Sequence, residues 1–141
     1  MEFRAAILLR KLLGKVGLLP RRGLGPWGEE VAVRYLLAQG YRIEARNFRV
    51  RGGEADLIAS KEGTVVVVEV KARKSRAFGS PVQAVDGRKV RRVLQAGRAF
   101  CRSRGISLAH LRFDVLAVDA TGEGLPQIRH IRGAVPDPRR R

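Results

Sequence analysis

The chain has 141 residues and a formal net charge of +16, from 29 Lys plus Arg against 13 Asp plus Glu. That length suits one domain able to bury its own core. A lone cysteine, Cys101, with no Cys/His cluster of zinc spacing, excludes intrachain disulfides and structural zinc and makes a reducing, cytoplasmic setting the expectation. No stretch reaches the roughly 18 uninterrupted apolar residues of a membrane span. Residues 1–24 form a basic extension whose apolar run, AAILL, is broken by Arg10 and Lys11 too early for a signal peptide. A short amphipathic helix is expected there. The loop PRRGLGP, Pro20 to Pro26, leads into the main domain, taken as residues 25–133.

Ala32, Val33, Leu36 and Leu37 recur at helical spacing from Trp27 to about Gln39, and Gly40 supplies the stop. Glu29 shares the face of Ala32, Val33 and Leu36, whereas Glu30 stands four residues before Arg34 as a solvent-facing pair. In YRIEARNFRVR the apolar residues slip phase, Tyr41, Ile43 and Ala45 against Phe48 and Val50, so a strand with a bulge near Arg46 and Asn47 is expected. Turns at Gly52-Gly53 and at Lys61 to Gly63 give two more strands, EADLIAS and TVVVVEVKAR, in meander order. A long helix follows from about Val82 to Arg104, ended by Gly105, then strands at Leu111 to Asp119 and Gln127 to Ile131. Residues 134–141 form a basic tail without structure. The four-valine run wants cover on both faces, so the economical architecture is an α/β mixed sheet of four or five strands flanked by two helices.

Two charges interrupt the valine strand. Alternation puts Val65, Val67, Glu69 and Lys71 on one face and Val66, Val68 and Val70 on the other. In the preceding strand Glu54, Asp56 and Ile58 share a face, and the hairpin brings Asp56 opposite residues 68 to 70. Two neighbouring carboxylates repel unless a divalent cation neutralises them, and oxygen-only ligands suit Mg²⁺ or Mn²⁺. The carbonyl of Val70 is a further candidate ligand. A cation there would polarise a phosphodiester oxygen and lower the pKa of a bound water, with Lys71 placing the water or offsetting charge on the phosphate. The alternative is a buried ion pair of Glu69 or Asp56 with Lys71 and Arg73, though unpaired burial of charge is costly on a central strand.

The series Gly28-Glu29-x-x-Ala32, Gly53-Glu54-Ala55-Asp56-Leu57-Ile58, Val68-Glu69-Val70-Lys71-x-Arg73, Phe78-Gly79 and Arg112-Phe113-Asp114-Val115 resembles the YraN family of small bacterial proteins. That family is placed in the PD-(D/E)XK nuclease superfamily beside archaeal Holliday-junction resolvases, and the match spans about residues 25 to 119. The resemblance implies a restriction-endonuclease-like αβββαβ core. It also implies metal-binding acids at Asp56 and Glu69, a catalytic lysine at Lys71 and a helix-borne acid at Glu29 that completes the metal site. One departure is that no Pro-Asp stands at the first metal ligand, where the sequence reads Gly53-Glu54-Ala55-Asp56. The expected activity is metal-dependent hydrolysis of phosphodiester bonds in DNA, structured or branched, with a homodimer by analogy with the resolvases. A non-catalytic nucleic-acid binder on the same fold is the rival.

The base excess points to nucleic acid, because 23 of the 29 bases are Arg, whose planar fork pairs bidentately with phosphate, and the resemblance implies DNA before RNA. Arg88, Arg91, Gln95, Arg98 and Arg102 fall on one face of the second helix, opposite the stripe of Val90, Val93, Leu94, Gly97, Phe100 and Cys101, as a phosphate-binding ridge. Arg73, Gln83 and Lys89 are expected beside it. Cys101 reads as core, Trp27 as a hydrophobic lid and Asp114 as a hydrogen-bonded structural acid. His110 and His130, at strand ends with no partner acid in sight, read as bystanders.

Overall fold

A computed structural model describes residues 23–74, 86–120 and 125–134. The expected N-terminal amphipathic helix, the C-terminal tail from residue 135 and Gln83 lie outside the described residues. Helix α1 is Leu24–Ala38, and Pro26 falls in its first turn, where a missing N–H has no intrahelical partner to lose. Strands β1 (Arg42–Val50), β2 (Gly53–Lys61) and β3 (Thr64–Arg73) follow, then helix α2 (Gly87–Ser103) and strands β4 (Leu111–Asp119) and β5 (Gln127–Ile131). Both helices end in the same six-residue closure. Tyr41 N–H donates to the Leu36 carbonyl at 2.9 Å after Gly40 turns left-handed, and Ile106 N–H donates to Cys101 at 2.9 Å after Gly105 does. Helix α2 begins at Gly87 rather than near Val82. Asp86 is extended, and its carboxylate accepts the Lys89 N–H at 2.9 Å, an N-cap that fixes the helix start.

The five strands make one sheet in the order β1-β2-β3-β4-β5. β1, β2 and β3 form the expected antiparallel meander, β4 runs parallel to β3 with α2 as the crossover, and β5 closes antiparallel on β4. Alternation on β3 sorts the valines as expected. Val66 and Val68 enter the core under α1 with Trp27, Leu36, Leu57 and Leu116, and Val65 and Val67 enter the core under α2 with Phe100, Cys101 and Phe113. The resulting α/β architecture, a mixed open sheet with one helix on each face, is consistent with a restriction-endonuclease-like core. Gly97 lets α2 lie low on this sheet, since a Cβ there would stand 2.7 Å from Val67 Cγ1.

The phase slip in β1 has two parts. The register with β2 shifts between Ile43 and Ala45, and Asn47 adopts a left-handed φ of 47°. Ala45 and Phe48 therefore both face the α2 side, while Ile43 faces α1. β2 answers opposite Asn47. Ala55 joins the α2-side core and Leu57 the α1-side core, so the strand changes phase at Asp56 and the even alternation of Glu54, Asp56 and Ile58 does not hold.

A buried polar network pins β5, β4 and α1 together. Asp114, fully buried, accepts two hydrogen bonds from Arg112 at 2.8 Å and one from the Gly133 N–H at 3.0 Å. His130 Nε2 lies 2.7 Å from Asp114 Oδ2, its Nδ1 lies 3.1 Å from Tyr35 Oη, and Arg112 also donates to Tyr41 Oη at 2.9 Å. Asp114 is thus the structural acid expected. His130 is no bystander; its partner acid is 16 residues distant in sequence, on the neighbouring strand. Burial works against ionising Asp114, but the hydrogen bonds from His130, Arg112 and Gly133 outweigh it and hold the carboxyl below its ordinary range. An acid with a lowered folded-state pKa lends stability at neutral pH that is lost as pH falls through that pKa. Asp114→Asn should cost about 3 kcal/mol in urea unfolding at pH 7, with the deficit shrinking below about pH 4, where the wild-type carboxyl protonates too.

Candidate metal and nucleic-acid site

The ladder between β2 and β3 runs from Lys61↔Thr64 to Leu57↔Val68 and stops there. Beyond it β2 pairs only with β1 and β3 only with β4, so the two strands splay. Asp56 stands at the fork. Its Oδ2 accepts the Val70 N–H at 2.9 Å, taking the place of the next ladder bond and holding the carboxylate between the strands.

Glu69, one residue earlier on β3, is 4% exposed, and its buried Oε2 has no hydrogen-bond partner among the described residues. Burial first, and then the neighbouring Asp56 charge, push its carboxyl up to about 7, with the nearby lysines pulling the other way. Lys71 Nζ lies 3.9 Å from Glu69 Oε1, and Lys89 Nζ lies 3.9 Å from Oε2. From the α1 side comes Glu29, raised in pKa by its own burial and by Asp56, and partly relieved by a hydrogen bond from Asn47. A cleft of about 240 Å³ opens here, lined by Glu29, Asn47, Arg49, Glu54, Asp56 and Lys89 among others.

Close contact without a side chain positions two of these acids. At Gly28 a Cβ would stand 2.5 Å from the Ala72 Cβ, and at Gly53 a Cβ would stand 2.8 Å from the Ala96 nitrogen on α2. Each glycine is followed by a glutamate of the cleft, Glu29 or Glu54. Gly28→Val should lift the start of α1 off β3 and carry Glu29 with it, lowering stability by about 2 kcal/mol or more in thermal unfolding, as overpacking does in cores.

The structure therefore brings Asp56, Glu69, Lys71 and the Val70 backbone together at the fork, with Glu29 across the cleft. Among the described residues no three His, Cys, Asp or Glu side chains converge as a ready metal cage. The donors that suit a hard cation are the two carboxylates of Asp56 and Glu69, and the buried Glu69 Oε2, which accepts no hydrogen bond among the described residues, has a lone pair to offer one.

The basic residues divide. Arg88, Arg91 and Arg102 are exposed on α2, joined by Arg92 and Arg104, which the spacing argument left out. Arg98 is 6% exposed and leaves the ridge, because it follows Leu94 by four residues and shares that flank of the helix. Arg73 is likewise turned inward, its Nε 3.1 Å from the buried Asp119. Lys89 points into the cleft, where it donates to Glu54 Oε1 at 2.8 Å, and Arg92 stands 3.8 Å from Glu54 Oε2. Sequence reasoning passed over Glu54 and Asn47. The one available signal is the Gly53-Glu54-x-Asp56 spacing, which by alternation puts Glu54 on the strand face of Asp56 but assigns it no role. Cys101 and Trp27 are buried in the two cores as expected, and His110 is exposed. No helix among the described residues is long and apolar enough to cross a membrane.

Fold and fork together define an α/β protein with a restriction-endonuclease-like core and an acidic notch at the splayed end of its central strands. Comparison with known sequences agrees with the resemblance read from the motifs: the profile described as "Uncharacterised protein family UPF0102", the YraN family, matches residues 28–118. The chain belongs to that family. A UPF0102 protein of Syntrophomonas wolfei is 42% identical over 113 residues, 80% of this chain and 97% of its own. One of Arthrobacter sp. is 43% identical over 110 residues, 78% and 93% of the two chains, and one of Geobacter sulfurreducens is 41% identical over 111 residues, 79% and 87%.

Because Glu69 has a raised folded-state pKa, the cation-free protein takes up a proton on folding. Its stability should fall as pH climbs from the ordinary Glu value of 4.5 to about 7. Glu69→Gln should flatten that slope in urea unfolding run in EDTA across a pH series.

Proposed function

We propose that this protein is a phosphodiesterase dependent on Mg²⁺ or Mn²⁺ that acts on nucleic acid, DNA in preference to RNA and structured or branched DNA in preference to plain duplex. The observation that carries the reading is the buried Glu69 oxygen beside Asp56 at the fork of β2 and β3, which accepts no hydrogen bond among the described residues. Asp56, Glu69 and the Val70 carbonyl would hold the cation, and when bound it supplies charge neutralisation and polarisation of a phosphoryl oxygen. The chain's own residues do the rest. Lys71 places an ammonium 3.9 Å from Glu69, within reach of charge that builds on a phosphate at the fork. Glu29 would complete the acidic set from the far wall of the cleft, facing Asp56. Exposed Arg88, Arg91 and Arg92 on α2, with Arg49 at the cleft, give phosphates a bidentate grip beside the acids. A second copy of the chain would be needed to cut both strands of a branched substrate.

Labelled duplex, nicked and four-way-junction DNA should be cleaved in Mg²⁺ or Mn²⁺ and spared in EDTA. Asp56→Ala and Glu69→Ala should lower the rate about 100-fold or more while leaving DNA binding in place. Unchanged cleavage in both variants would remove the assigned site. A second reading, a nucleic-acid binder without catalysis, is favoured by the two ammonium groups beside Glu69 and by the lack of a third converging acid among the described residues. It is the outcome if binding is salt-dependent, cation-independent and yields no product.

A further inference from the structure

Lys89 has two acids within reach at unequal distances. Its Nζ makes a 2.8 Å hydrogen bond to Glu54 Oε1 and stands 3.9 Å from Glu69 Oε2, too far for a hydrogen bond but near enough to set the local charge. That Glu69 oxygen is buried and accepts no hydrogen bond among the described residues. Among those residues, the cation within 4 Å of it is a side chain on α2.

We infer that Lys89 is an internal counter-ion for Glu69 that a divalent cation must displace, with Glu54 as the partner that keeps the ammonium when it withdraws. This deepens the cation-dependent reading above and rests on it. Three features carry the inference. Like charges a few ångströms apart repel even with partial screening, so an ammonium 3.9 Å from that oxygen competes with a cation placed between Asp56 and Glu69. The lysine backbone is fixed, since its N–H is held by the Asp86 cap, so the retreat is confined to a flexible four-carbon stem. Withdrawal leaves the ammonium paired, because the Glu54 bond is already made and Arg92 stands on the other Glu54 oxygen at 3.8 Å. The same lysine offsets charge at the fork before a cation arrives, since it lies in the cleft with Glu29, Glu54 and Asp56 and within 3.9 Å of Glu69.

The test is a calorimetric titration of the full chain with Mn²⁺ alone, without nucleic acid, paired with thermal unfolding in EDTA and in Mn²⁺. Lys89→Met should bind Mn²⁺ about tenfold more tightly than wild type, a gain of about 1.4 kcal/mol. It should also melt lower in EDTA yet show the larger Mn²⁺-induced rise in Tm. Lys89→Arg should restore the wild-type affinity to within about threefold, since the charge is kept. Glu54→Gln removes the partner that keeps the ammonium and should weaken Mn²⁺ binding several-fold, and it carries the test alone if Lys89→Met does not fold. Mn²⁺ affinity equal to or weaker than wild type in Lys89→Met overturns the counter-ion role and leaves the proposed function standing. Binding by neither wild type nor Lys89→Met overturns both. Binding detectable only in Lys89→Met supports the inference most directly.

Discussion

Everything at the candidate site depends on one hydrogen bond, from the Val70 N–H to the carboxylate of Asp56. A backbone donor on a central strand must find an acceptor, and within an ordinary ladder that acceptor is a carbonyl. Here the ladder ends one pair earlier, at Leu57↔Val68, and a side chain takes the carbonyl's place. The substitution keeps β3 satisfied while freeing β2 to diverge. It also holds a negative charge in the gap, and the second charge, Glu69, follows from strand alternation next to it. The valines on either side are the rigid floor that keeps the two carboxylates close despite their repulsion.

The electrostatics then follow from burial. Glu69 is nearly sealed from water and faces Asp56, so its ionised form is costly, and the two lysines only partly repay that cost. Asp114 is as deeply buried and has the opposite outcome, because four hydrogen bonds from protein donors converge on it. The contrast separates a structural acid from a functional candidate. One has its lone pairs filled by the fold, and the other retains an oxygen that the fold leaves open.

Much of this was legible in the sequence because it obeys periodicity. The meander, the parallel crossover through a helix, the two-sided valine strand and the pairing of Asp56 with residues near Glu69 all follow from spacing of two or of 3.6. What alternation could not supply was its own breakdown. The left-handed Asn47 and the register shift at Glu44 redirect β1 and, opposite it, β2, and neither leaves a mark stronger than a slip in apolar phase. Long-range pairs were hidden for a different reason. His130 with Asp114, Arg73 with Asp119 and Lys89 with Glu54 join residues that only the assembled sheet brings together, so a residue read as a bystander and two read as surface cations turned out to have partners. Arg98 shows how little separates a ridge from a flank on a helix: one position toward Leu94 is enough to bury a guanidinium.

The close seat of α2 on the sheet has a mechanical consequence. With Gly97 lying against the Val67 and Leu111 side chains, and Gly53 against the helix backbone at Ala96, α2 rests on the sheet at two tight points, and Val93, Leu94 and Phe100 fill the core around them. The arginines on the outer surface of α2 and the lysine it sends into the cleft are therefore carried by one helix whose height above the sheet is set, and the spacing between the outer bases and the acids of the fork is set with it.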